Sequence, residues 1–169
     1  MFQLTVSNAS YLKGFYDQTK VLGHKLISSD FAFEIEGFES MWLLCKQAPW
    51  PQLSSAGEIE IPTPLGATMW QAQQLKIAQQ GQVTFEETTA GSIDAMLLGI
   101  ITNGGTFNAT VYEGMPDKYL SAKKFSDCFI VLDNPDRDWE NRPQVLQFSG
   151  TLFFHFFGEI IAGNSKGYR

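Results

Sequence analysis

Two histidines, two cysteines and a few clustered carboxylates are the groups of this 169-residue chain from which a reactive centre could be built. Neither His24 nor His155 stands at a spacing that pairs it with a nucleophile or a metal ligand, and a general base without a partner in hydrogen-bond reach does no chemistry. Cys45 and Cys128 are far apart and lie in apolar runs, where a reduced thiol behaves as a small hydrophobe. Both read as structural and reduced, as in a cytosol. Glu86 and Glu87 are adjacent like a catalytic carboxylate pair, but neighbours on a strand point to opposite faces and cannot flank one bond. Gly104-Gly105 has no Gly-Lys-Ser/Thr after it, so it makes no phosphate loop, and helix capping explains it better.

The densest charged run is Asp133-Asn134-Pro135-Asp136-Arg137-Asp138-Trp139-Glu140-Asn141-Arg142. Its carboxylates recur at alternate positions as in a calcium loop, yet the turn glycine and flanking helices of that motif are missing. The expected arrangement is a tight inter-strand loop in which Arg137 and Arg142 pair with carboxylates and Trp139 is the anchor. No catalytic residue, metal or cofactor is expected, and the chain reads as a non-enzyme.

The elements that would carry these residues are mostly strands. Phe31, Phe33 and Ile35 alternate with Ala32, Glu34 and Glu36 up to Gly37, which predicts a half-buried strand with an acidic outer face. Ser40–Lys46 is a second strand candidate, joined to the first as a hairpin by Gly37-Phe38-Glu39. Pro49-Trp50-Pro51 and the small residues to Gly57 predict an exposed loop over 47–57. Glu58–Ile61 reads as a short strand stopped by Pro62 and Pro64, and Met69–Gln80, rich in glutamine, as an extended surface. In Gln82–Thr88, Val83 and Phe85 point inward while Gln82, Thr84 and Glu86 point outward. The period then changes. Ser92 as N-cap, Ile93, Met96, Leu97 and Ile100 on one stripe and Asn103-Gly104-Gly105 as the stop predict one helix over about 92–102. Strands follow over Thr106–Glu113, Phe125–Asp133 and Val145–Phe157, the last with Gly150 at a bend or close approach. The polar, weakly patterned residues 1–30 suit an N-terminal arm as much as core.

Composition agrees. The chain has the length of a single domain, 1–169, and 14 Phe, 5 Tyr and 4 Trp favour strands. A net charge of −6, with Lys123-Lys124 as the nearest thing to a basic cluster, argues against tight phosphate binding. No apolar stretch approaches the roughly 20 residues of a membrane helix. The N-terminus lacks a basic and then apolar leader, so synthesis and folding in a cytoplasm are expected.

A family resemblance lies in Thr84-Phe85-Glu86-Glu87-Thr88, in Asn103–Gly114, in Asp127-Cys128-Phe129-Ile130 and most strongly in Asp136–Arg142 leading to Ser149–Gly158. These runs resemble the tail tube family of contractile bacteriophages. The resemblance implies a mainly β fold, a two-sheet β-barrel or sandwich of the tail-tube type flanked by the helix. It implies homohexameric rings stacked into a tube around a channel that DNA crosses on ejection. Implied partners are the sheath protein, the baseplate initiator, the tail terminator, the tape-measure protein and, transiently, double-stranded DNA in the lumen, with no membrane. The place implied is the tail of a virion assembled in a host cytoplasm. Tail-tube initiators of the baseplate, tail-completion rings and type VI secretion tube proteins are the alternatives within the same fold. Within that picture Glu34, Glu36, Gln82, Thr84 and Glu86 are expected to line the lumen, where negative charge repels phosphate. Pro49, Trp50 and Pro51 are expected to touch the next ring. Arg137, Asp138, Glu140 and Arg142 are expected in salt bridges to a neighbouring subunit or the sheath.

Overall fold

The computed structural model describes residues 6–165 and divides the chain into two compact units at Asp30/Phe31. The first unit contains helix α1, Val6–Val21. Its sequence has Tyr11, Leu12, Phe15 and Tyr16 on one stripe, and Lys13 bonds Asp17 one turn on at 3.0 Å. The helix was not anticipated, because the stripe is short and is diluted by Ser, Asn, Gly and Thr.

The second unit is a β-sandwich. Its strands are β1 (Ala32–Ile35), β2 (Cys45–Gln47), β3 (Glu58–Pro62), β4 (Thr68–Ala72), β5 (Ala78–Glu86), β6 (Phe107–Met115), β7 (Lys118–Leu132), β8 (Gln147–His155) and β9 (Ile160–Ala162), with helix α2 at Ser92–Thr102. The main path of pairing runs β1-β6-β7-β8-β5-β2, with β9 added on β7. The path does not close on itself, so of the two expected forms the structure takes the sandwich. All these ladders are antiparallel.

The 15-residue β7 belongs to both sheets. Its first part pairs with β6 and β9, and from Ser126 onward it pairs with β8. The change of partner coincides with a break in register and with Asp127 at φ 49, a left-handed conformation whose N–H is taken up by the Asn108 side chain at 3.1 Å. A bulge of this kind turns a strand and re-aims its side chains. The first sheet is therefore β1, β6, β9 and the start of β7. The second is β2, β5, β8 and the end of β7.

Between the sheets lies a core of phenylalanines. Phe33 and Phe125 come from the first sheet and Phe85 and Phe154 from the second, with ring centroids 4.5 to 6.5 Å apart in tilted and edge-on pairs. Such pairs add to the area they bury. Ile93, Met96 and Ile100 of α2 join this core, which is the stripe the 3.6-residue period marked out. Gly150 is buried in β8, and a side chain there would meet the Val131 carbonyl oxygen and the Leu132 Cα across the ladder.

Residues 39–44 differ from expectation. Instead of a strand they form a short 3-10 helix, and β1 pairs with β6 rather than with this segment. Met41, Trp42 and Leu44 are only partly covered, so the unbroken apolar run marks a segment lying over the core's rim.

Candidate functional site

Two surfaces and one projecting element are the places where this fold could act. The first surface is the outer face of the first sheet. Glu34 on β1 is half-buried and accepts a hydrogen bond from the Tyr112 hydroxyl at 3.3 Å. Burial and then the neighbouring Glu34 charge push the Tyr112 phenol up to about 12. Glu36 is exposed just past the strand, its N–H bonded to the Asn108 carbonyl at 3.0 Å. These two carboxylates, Glu39, Glu159, Lys124 and Ile161 line one groove, while the Phe125 ring beneath it is turned into the core.

The second surface is the outer face of the second sheet. Here Gln82 and Glu86 on β5 stand opposite Thr151 and Gln147 on β8. Thr84 lies between them in sequence but is buried, bonded to the Gln47 amide oxygen at 3.2 Å and close to the Ser149 hydroxyl at 3.3 Å. Neither β5 nor β8 contains a lysine or arginine. Farther along, Phe129 and Phe153 stack at 5.1 Å, with Phe129 exposed.

The five residues expected together at a channel are thus split. Because Phe33 and Phe85 point into one core, Glu34 points away from the sandwich on one side and Gln82, Thr84 and Glu86 on the other. Strand alternation gave inward against outward for each strand, but not which sheet each strand joins.

The projecting element is a hairpin. Strands β3 and β4 pair only with each other, and the ladder is prolonged by bonds between 54–57 and 73–76. Its turn holds Leu65 at φ 66 and Gly66 at φ 81, with Leu65 fully exposed. By register Ile59, Ile61 and Met69 share one face, and Trp70 lies opposite Glu60 on the other. Ile59, Met69 and Trp70 are all largely exposed.

The base of this hairpin is fixed, which corrects the reading of 47–57 as wholly exposed. Pro51 is buried, and Trp50 and Pro49 are half-buried. Pro49 rests where a side chain at Gly81 would stand. Lys123, itself buried, donates to the Pro51 carbonyl at 2.8 Å and lies 4.8 Å from the Trp50 ring and 5.6 Å from that of Phe156. Desolvation lowers the Lys123 pKa, with the Glu113 charge acting the other way. Gln79 secures the next residue through the Gln52 carbonyl at 2.8 Å. The signal for Lys123 was available: it is two residues before the inward Phe125, on the core-facing side of its strand.

The charged run 133–142 is an open loop. None of Arg137, Asp138, Glu140 and Arg142 makes an ion pair within the described residues, and the Asp138 carboxylate instead takes the Glu140 N–H at 3.0 Å. Trp139 is 82% exposed, so it does not anchor the loop from within. Together with Asp136 and Gln144, Arg137 and Asp138 border an open depression beside the start of β8. Among the described residues no three His, Cys, Asp or Glu side chains converge as a metal site would need. The His155 ring nitrogen Nδ1 is 3.2 Å from the Ser126 carbonyl. Burial pushes both Cys45 and Cys128 up to about 12, so neither is a thiolate near neutral pH.

At α2 the capping group differs from expectation. Gly91, at φ 74, occupies the N-cap position and Ser92 is the first helical residue. The carboxylate of Glu87 accepts the N–H groups of Thr88, Ile93 and Asp94 at 2.8 to 3.0 Å, filling the role from the preceding strand's end.

No protein-family model and no curated protein matches the sequence. Solved structures do match. A chain of the PVC extracellular contractile injection system's sheath–tube complex in the extended state aligns with a TM-score of 0.55 at 12% identity, over 85% of this chain and 95% of that one. The tube-terminating cap of the anti-feeding prophage gives 0.55 at 13% identity, over 83% and 93%. A chain of the anti-feeding prophage baseplate gives 0.54 at 13%, over 85% and 99%. The fold is thus that of components of contractile injection systems.

Proposed function

We propose that the chain is a non-enzymatic subunit of a contractile tail tube, forming hexameric rings that stack around a channel for DNA. The observation that supports this is the fold shared, over 83–85% of this chain, with chains of a sheath–tube complex, a tube-terminating cap and a baseplate of contractile particles. The projecting hairpin supports it. A two-stranded ribbon with Ile59, Met69 and Trp70 in water is marginal alone and gains stability once another surface covers it. A fixed base at Pro49, Trp50 and Pro51 presents that ribbon to the next ring at little entropic cost. Open sheet borders that would be a hazard in a lone monomer become contacts when identical copies close a ring.

The channel face in this proposal is the second sheet. Along β5 and β8 it offers Gln82, Glu86, Gln147 and Thr151 and no lysine or arginine to hold a phosphate. Thr84, held by Gln47 and Ser149, stiffens that face from beneath. Glu34 and Glu36 then belong to the opposite, subunit-facing side. Arg137, Asp138, Glu140 and Arg142, which make no ion pair among the described residues, are positioned to meet a neighbouring subunit or the sheath.

A single-ring component, a baseplate initiator or a tube terminator, is the second reading, favoured by cap and baseplate chains that match as well as the sheath–tube chain. Electron microscopy of the purified chain separates the two. Hollow tubes of constant width are expected, isolated rings would point to the second reading, and particles that stay monomeric at high concentration would overturn both.

A further inference from the structure

Helix α1 carries a stripe of large apolar side chains. Tyr11, Leu12, Phe15 and Tyr16 fall within about 140° of one another around its axis and are each more than half exposed. Tyr11 and Phe15 meet edge to face at 4.9 Å, so the stripe presents a ready-made aromatic pair. A helix of this length is marginal in water by itself, and most helical stability comes from packing an apolar face.

Charge says what covers the face. Residues 1–30 contain Lys13, Lys20 and Lys25 against Asp17 and Asp30, a net +1, so the remainder of a chain of net −6 carries −7. Lys20, Lys25 and His24 gather around a hollow at the end of α1 beside Tyr16. The groove on the first sheet has the complementary make-up, with Glu34, Glu36, Glu39 and Glu159 outnumbering Lys124 and with Tyr112 and Ile161 also in its lining.

We propose that α1 is a docking arm that seats its aromatic stripe and basic end in the first-sheet groove of a second copy of the chain. The second copy is the one the proposed ring supplies, so the inference rests on that reading. Passed from each subunit to the next, the arm makes a head-to-tail contact that closes with the ring. Its ionic part is exposed and weakens with salt, while the aromatic part does not.

The test uses two full-length chains with different tags, one carrying Gln18→Cys beside the stripe and the other Thr110→Cys in the groove, joined by a short bis-maleimide. A mixed-tag product well above that of the unsubstituted chains is expected. Lys20→Glu in the arm copy should lower its yield about tenfold, and Glu159→Lys in the groove copy should restore it. A mixed-tag yield no higher than the background, or a doubly substituted chain that is linked only within itself, overturns the proposal. Tubes that form without the mixed-tag product sink the arm and leave the tube reading standing. Mixed-tag product without rings or tubes sinks the tube reading and leaves the arm contact in a smaller assembly.

Discussion

Single side chains hold this fold at places remote from any reactive chemistry. Glu87 is the clearest, since one carboxylate satisfies three N–H groups at and before the start of α2. Desolvation works to raise its pKa, but the hydrogen bonds from Ile93, Thr88 and Asp94 outweigh it and hold the carboxyl below the usual range. A depressed carboxyl contributes stability that is fully present above the ordinary carboxylate pKa and is lost as pH falls through the lowered value. Glu87→Gln should therefore destabilise the protein by about 1 kcal/mol near neutral pH, with the difference shrinking in acid, as urea unfolding at a series of pH values would show. Phe125 acts by volume. Its ring touches those of Phe33 and Phe154, and Phe125→Ala should cost about 3–5 kcal/mol by the same measurement.

At the scale of elements, the strand pairings explain both what sequence made legible and what it hid. The α2 stripe, the Asn103-Gly104-Gly105 stop and the inward faces of β5, β6 and β8 were readable, because each is set by local period and by glycines with positive φ. Glu87 as a cap and Lys123 as a pin were not singled out, since each depends on a partner brought in by tertiary packing. The split of the expected channel residues over two outer faces was hidden for the same reason. Gly150 shows the constraint acting on an element: a methyl group there meets backbone on β7, which has no rotamer with which to yield. Gly150→Ala should cost about 1–3 kcal/mol and speed amide exchange along the β7–β8 ladder. Lys123→Met should act more locally. It removes the bond to the Pro51 carbonyl while keeping the stem, so exchange should rise across 49–57 with the β6–β7 ladder unaffected.

For the whole molecule, the distribution of charge matters more than the total. In the proposed tube, with the second sheet toward the channel, DNA would meet glutamine, threonine and a sparse negative charge. Gln82→Lys together with Glu86→Lys should leave tubes of normal width by electron microscopy but slow DNA release, because fixed ammonium groups hold phosphates as they pass. Unchanged release from such tubes would place the channel on another face.

Strand β7 bears on how the sandwich carries mechanical load. Two sheets joined only by loops and side-chain packing can slide across each other, whereas here one continuous backbone, bent at Asp127, is hydrogen-bonded into both. Tension applied to the first sheet therefore passes into the second through covalent bonds, and sliding requires the ladders on both sides of the bend to shear together. In the assembly proposed above, that would make each copy a stiff brick, with the weakest joints lying between copies.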